Sequence, residues 1–168
     1  MKNNKKEIKT ISHKKKQFCT FFISTHLYGI DILDVKEIID EVTITKIYHA
    51  PKEILGFVNI RGHVYLVLDL RVMLNFNSKI IDETSRVLLF NKRVGESFGV
   101  MVDQIGHMVE VNENLIEYRL NDENISPSAK NPAKSDLEIG ACKLDDSLMI
   151  ILDAGKFLEV VDLKPKIK

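Results

Sequence analysis

Cysteine is nearly absent from this chain: two residues in 168, Cys19 and Cys142. Two thiols so far apart draw neither a disulfide framework nor a cysteine-based metal knuckle. Tryptophan is missing altogether, and long apolar runs are missing too. The longest, Val64–Leu68 and Leu148–Leu152, are five residues each, against the roughly 20 of a membrane-crossing helix. No apolar stretch follows the lysine-rich start, so the pattern of a secretory signal is lacking and a cytoplasmic protein with free thiols is expected. His13, His26, His49, His63 and His107 stand singly, with no HxH, HExxH or HxxxH pair, so no metal site is expected. The phosphate-cradling loops GxGxxG and GxxxxGK[ST] do not occur. Neither cysteine lies in a setting that would activate it, and no cofactor is expected.

What is present is charge, in balance but unevenly placed. Residues 1–16, MKNNKKEIKTISHKKK, hold seven lysines and one glutamate, a net +6 that leaves −6 on the remainder. No aromatic or Arg is interleaved with these lysines, so they read as a solvated, disordered leader. The acidic remainder speaks against a nucleic-acid-binding barrel.

Beyond the leader the chain says one thing twice. GFVNIRGHVYLVLDLRVML, starting at Gly56, lies without a gap on GACKLDDSLMIILDAGKFL, starting at Gly140, at an offset of 84. Gly56 meets Gly140, Leu68 meets Leu152, Asp69 meets Asp153, and Cys142 falls on Val58, as a small buried hydrophobe would. At an offset of 70, YGIDILDVKEII (28–39) lies on FGVMVDQIGHMV (98–109). The offsets differ by 14, which places an insertion in the second copy. NDENISPSAKNPAKS (121–135), with two prolines and no periodicity, supplies it as a loop.

Short apolar bursts separated by turn signals predict strands at 18–24, 28–32, 45–48, 57–60 and 64–68. A second set is predicted at 86–91, 97–102, 108–111, 140–144 and 148–152. Three helical pieces are expected. One spans 34–40, where apolar residues at 35, 38 and 39 fit one helical stripe. The others, 70–76 and 154–161, follow Asp69 and Asp153, read as caps. The fold class is mainly β: two five-stranded barrels with short helices, at 17–80 and 84–165, too small to be stable singly and packed as one unit. At the first hairpin Gly62 can take a positive φ and leave Arg61 exposed. The second copy has Leu144-Asp145-Asp146 at the matching turn. A shared scaffold with different tips suits different partners.

These residues resemble the CheW family of chemotaxis coupling proteins. The likeness runs from about Phe18 to Leu158 and includes YGIDILDVKEI (28–38), IYHAPKEILGFVNIRG (47–62), VLDLR (67–71), FGVMVDQI (98–105) and LMIILDAGKFL (148–158). The resemblance implies two SH3-like five-stranded barrels and no enzymatic activity. It implies a scaffold or adaptor that couples chemoreceptor (methyl-accepting) cytoplasmic tips to the histidine kinase CheA, whose regulatory domain shares the fold, in a membrane-associated array. It implies no nucleic acid and no direct membrane insertion. Carried onto this chain by motif, the receptor-binding surface comprises Val35, Glu37 and Ile38 of the first helix, with Gly56 and Arg61. Kinase binding falls on Val100, Val102 and Glu117. Three departures stand out. Leu66 occupies a place where the family has Pro, so its N–H can donate. Glu117 is acidic where a cation is common, and the lysine-rich leader has no family counterpart.

Two other roles fit the same residues. One is a CheW-like adaptor of a paralogous array controlling pilus motility or gene expression. The other is a membrane-surface or nucleic-acid binder that uses the basic leader.

Overall fold

The computed structural model describes residues 14–120 and 136–161. Eleven strands dominate these residues: β1 (Lys15–Ile23), β2 (His26–Asp31), β3 (Val35–Ile39), β4 (Ile54–Ile60), β5 (His63–Asp69) and β6 (Arg86–Phe90), then β7 (Phe98–Val102), β8 (Gln104–Asn112), β9 (Ile116–Tyr118), β10 (Glu138–Lys143) and β11 (Leu148–Leu152). Two four-residue helices, α1 (Leu70–Met73) and α2 (Phe157–Val160), follow β5 and β11. Asp69 caps α1, its Oδ1 accepting from the Val72 N–H at 3.3 Å. Asp153 accepts from the Gly155 N–H at 2.9 Å at the start of a 3-10 turn that leads into α2. Both aspartates therefore serve as caps, as their repeated position implied.

The strands form a six-stranded sheet, β8-β1-β2-β11-β10-β9, and a five-stranded sheet, β3-β6-β7-β5-β4. Replacing each strand by its repeat mate (β1 by β6, β2 by β7, β3 by β8, β4 by β10, β5 by β11) turns one order into the other, β9 aside. The duplication is thus real, but the sheets do not follow the expected boundaries. β1 and β2 of the first copy sit in a sheet with β8 to β11, while β6 and β7 of the second copy sit with β3 to β5. The copies are intertwined. Each SH3-like subdomain is an open, curled sheet rather than a closed barrel.

Burial follows from this arrangement. One apolar cluster draws on both sheets, with Phe21, Ile23, Tyr28 and Ile30 from one and Leu68, Leu88, Phe98 and Val100 from the other. Each sheet also wraps a smaller core: Phe18, Val111, Cys142 and Met149 in one, and Val58, Tyr65, Val67 and Met101 in the other. Strands such as β7 are buried on both faces and so read as continuous apolar runs.

Four expectations are corrected. Residues 34–40 form no helix: Val35–Ile39 is an edge strand paired with β6, with a bulge between Val35 and Glu37. The bulge admits Lys36 as an extra residue, and burial still alternates along the strand, but polar Glu37 takes a half-buried place and apolar Ile38 an exposed one, which produced the false helical stripe. The strand expected at 45–48 is one bridge, Thr45 to Phe57. Lys15 and Lys16 belong to β1 rather than to the leader; residues 1–13 of that leader lie outside the described residues, as does the loop expected at 121–135. Finally, the helical piece expected at 70–76 is shorter, with four α-helical residues, whereas the one expected at 154–161 is present as a 3-10 turn (Ala154–Lys156) running straight into α2. Leu66 does use the N–H that a proline would lack, donating to Ser97 O at 2.9 Å.

Candidate functional site

The β4–β5 hairpin turns at Arg61 (φ 51°) and Gly62 (φ 85°). Two consecutive left-handed residues make the tight turn that matches strand twist. The Asn59 carboxamide holds it, Oδ1 accepting from the Gly62 N–H at 2.8 Å. Alternation on the hairpin sends Val58, Tyr65 and Val67 inward and leaves Phe57, Asn59 and Val64 exposed. Arg61 reaches from the tip to the edge strand β3, where its guanidinium grips Glu37 with two bonds, Nη1 to Oε2 at 3.1 Å and Nη2 to Oε1 at 2.7 Å. These bonds hold the Glu37 carboxyl below the usual carboxylate range and raise the Arg61 value. Beside them the bulge residue Lys36 donates to Tyr65 Oη at 2.7 Å and lies 5.3 Å from the ring centroid. Side chains thus link β3 to the hairpin where the sheet order lacks a backbone ladder between β3 and β4.

The site residues expected from sequence separate into three groups. Glu37 and Arg61 are brought together at the rim of the five-stranded sheet; Val35 is half-buried against the cluster between the sheets, and Ile38 is partly exposed on the face opposite Glu37. Their element is a strand, not the helix expected.

Gly56 is buried within the sheet. It has φ 147°, and a Cβ there would lie 2.2 Å from Thr45 O. Its repeat mate Gly140 would put a Cβ 2.8 Å from Glu117 O. Both glycines admit a crossing segment against the sheet, Thr45 in one case and β9 in the other. Close backbone approach explains why the repeat keeps glycine here.

Val100 and Val102 are fully buried in the cluster between the sheets, so neither can meet a partner. They also lie on β7, in the same sheet as Glu37 and Arg61, because the copies cross. Glu117 alone of the kinase-side set is exposed, on β9 at the edge of the six-stranded sheet.

Sequence reading missed several residues. Lys36 and Tyr65 were not paired, and the exposed Phe57, Val64 and Tyr48 were not singled out; alternation along β4 and β5 carried the signal for the first two of these three. Also missed was the network at the start of β1. Lys15 bonds Glu110 at 2.8 Å, and Lys16 donates to Tyr118 Oη at 3.1 Å and lies 3.6 Å from Glu113. One nucleophile-like motif, Gly95-Glu96-Ser97-Phe98-Gly99, was overlooked as well. It leads from a turn into β7, and Ser97 has φ 47°. A nucleophile elbow instead runs from strand to helix. Among the described residues no three His, Cys, Asp or Glu side chains gather as metal ligands, and no helix is long and apolar enough to cross a membrane.

Two intertwined SH3-like sheets, with an exposed edge strand and a charged hairpin tip, have the form of a scaffold. Residues 17–162 match the family model described as CheW-like domain, and the chain belongs to that family. It is 29% identical over 144 residues to the chemotaxis protein CheW of Klebsiella aerogenes, covering 84% of this chain and 81% of that one. It is 28% identical over 156 residues to the chemotaxis protein CheW of Bacillus subtilis, covering 91% and 90%. The crystal structure of the scaffolding protein TtCheW from Thermoanaerobacter tengcongensis superimposes with a TM-score of 0.70 at 29% identity, over 83% of this chain and 90% of that one.

Proposed function

We propose that this chain is a non-catalytic adaptor that couples chemoreceptor tips to the regulatory domain of the histidine kinase CheA. In this reading it is a cytoplasmic protein held at membrane receptor arrays through its partners. The observation that carries the reading is the rim of the five-stranded sheet. A bidentate Arg61–Glu37 pair ties β3 to the hairpin tip on the face that carries Tyr65, and Ile38 and Val64 are exposed on the opposite face of their strands. Exposed apolar side chains on these strands and a charged hairpin tip suit a helical partner, with Arg able to meet a carboxylate. Val35, Glu37, Ile38 and Arg61 are the proposed receptor-facing residues. The kinase face falls on the other sheet around Glu117.

Family membership supports the adaptor role, and the charge difference between the tips supports two partners: Arg61 in one, Asp145 and Asp146 in the other. The test is capture. Purified protein should retain both a kinase regulatory domain and receptor signalling tips, and Arg61→Glu should reduce receptor capture about tenfold or more, with kinase capture and circular dichroism unchanged. Undiminished receptor capture by that variant would refute the site.

A further inference from the structure

The intertwining of the copies has an intermolecular consequence. Nine strand pairings build the two sheets, and four of them join the first half of the chain to the second: β1 with β8, β2 with β11, β3 with β6, and β5 with β7. β3 and β8 have no ladder partner within their own halves. The large apolar cluster is likewise assembled from both halves. A half chain therefore exposes unpaired strand edges and part of a core, and the other half covers both.

The repeat makes these contacts nearly twofold, and nothing in them requires the two halves to share a backbone. Only the segment after α1, residues 75–85, makes the pairing intramolecular. Phe76 anchors its start on the main core and against His26, and Ser85 is buried at its end, while the stretch between is held by a few polar contacts. Arg71 donates to Asn77 O at 2.8 Å, Lys79 meets Asp82 at 2.6 Å, and Thr84 donates to Asp103 O at 2.9 Å. Ile80 within it stands almost wholly exposed.

We infer that two copies of this chain can exchange halves, the first half of each completing both sheets with the second half of the other. The product is a dimer with two complete double-sheet units and every surface face present twice. A short flexible tether gives an effective concentration in the millimolar range. The single chain therefore prevails at micromolar concentration, and exchange prevails when the tether cannot span its ends. Deleting Ser78–Ile81 shortens it by up to about 14 Å.

The test reads mass and exchange, not partner binding, so it stands or falls apart from the adaptor role. Full-length protein is unfolded in urea and refolded at concentrations from micromolar to millimolar, and the Ser78–Ile81 deletion is purified alongside; both are sized by light scattering. Expected are a mass that doubles in the deletion variant, a dimer fraction of the natural chain that grows with refolding concentration, and unchanged β circular dichroism. Two differently tagged dimer pools should trade chains only after urea is added. A natural chain that stays monomeric after millimolar refolding overturns the inference, whether or not the deletion variant folds. So does a dimer that dissociates at once on dilution, since that marks a face-to-face contact.

Discussion

Replacing Gly56 by alanine tests whether this glycine shapes the sheet or touches a partner. The added Cβ would lie 2.2 Å from Thr45 O and 2.8 Å from Ile44 Cγ2. Backbone cannot swing aside as a side chain can, so the 44–46 segment must move off β4. That movement breaks two hydrogen bonds, Thr45 N to Phe57 O and Phe57 N to Thr45 O, both 2.8 Å. Their loss costs about 2 kcal/mol at roughly 1 kcal/mol each. Positive φ at an alanine adds about 1–2 kcal/mol. The total is about 3–4 kcal/mol, a large share of the 5–15 kcal/mol that holds a typical domain folded. Gly62→Ala supplies the control. It too has positive φ, 85°, but nothing lies within 4 Å of its Cβ position, so only the backbone cost of about 1 kcal/mol remains. Urea denaturation of both variants, followed by circular dichroism, measures the difference. At a temperature where Gly56→Ala is still folded, its affinity for receptor tips should match that of the natural chain. Equal losses for the two variants would refute the steric argument, and a tenfold affinity loss in folded Gly56→Ala would restore a contact role.

Three further outcomes are expected. Tyr28 is fully buried, its hydroxyl has no hydrogen-bond partner among the described residues, and burial pushes the phenol up to about 12; Tyr28→Phe, which copies its repeat mate Phe98, should stabilise by about 1 kcal/mol in urea titration, and a loss of that size would mean the hydroxyl is satisfied. Burial raises the Asp69 carboxyl, so its folded-state value exceeds the unfolded one and its charge disfavours folding as pH rises through that window. Asp69→Asn should therefore keep the cap at little cost while Asp69→Ala loses about 1 kcal/mol; equal melting temperatures for the two would exclude the cap. Glu37 runs the other way: its folded value is depressed, so its contribution is present above the ordinary carboxylate range and is lost as pH falls through the folded value. Arginine side-chain NMR should show Arg61 losing its protection from hydrogen exchange, taken relative to the intrinsic rate at each pH, as pH falls through that window, and constant protection would dismiss the pair.

Much of the fold was legible because strand burial leaves a local trace. The runs at β5 and β11, the glycines at their approach and the aspartates after them recur at one offset, and each recurrence has a physical cause in the structure. β3 was misread although part of its repeat mate β8 reads as a strand at 108–111, a conflict that could have exposed the error. A half-buried Glu37 and an exposed Ile38 hid the alternation. At the site, exposure of Arg61 followed from the turn, but its grip on Glu37 did not, because the two residues lie on opposite edge regions of a curled sheet.

By itself the sequence determined that two related β units exist, where their hairpins turn, and which residues cap their short helices. These depend on contacts between near neighbours, and a periodic pattern records them. Only the tertiary structure decided which strands share a sheet, and so that Val100 and Val102 are core while Glu37 and Arg61 are surface. Strand pairing across the halves is made by backbone groups that every residue carries, and such bonds leave no mark in side-chain identity.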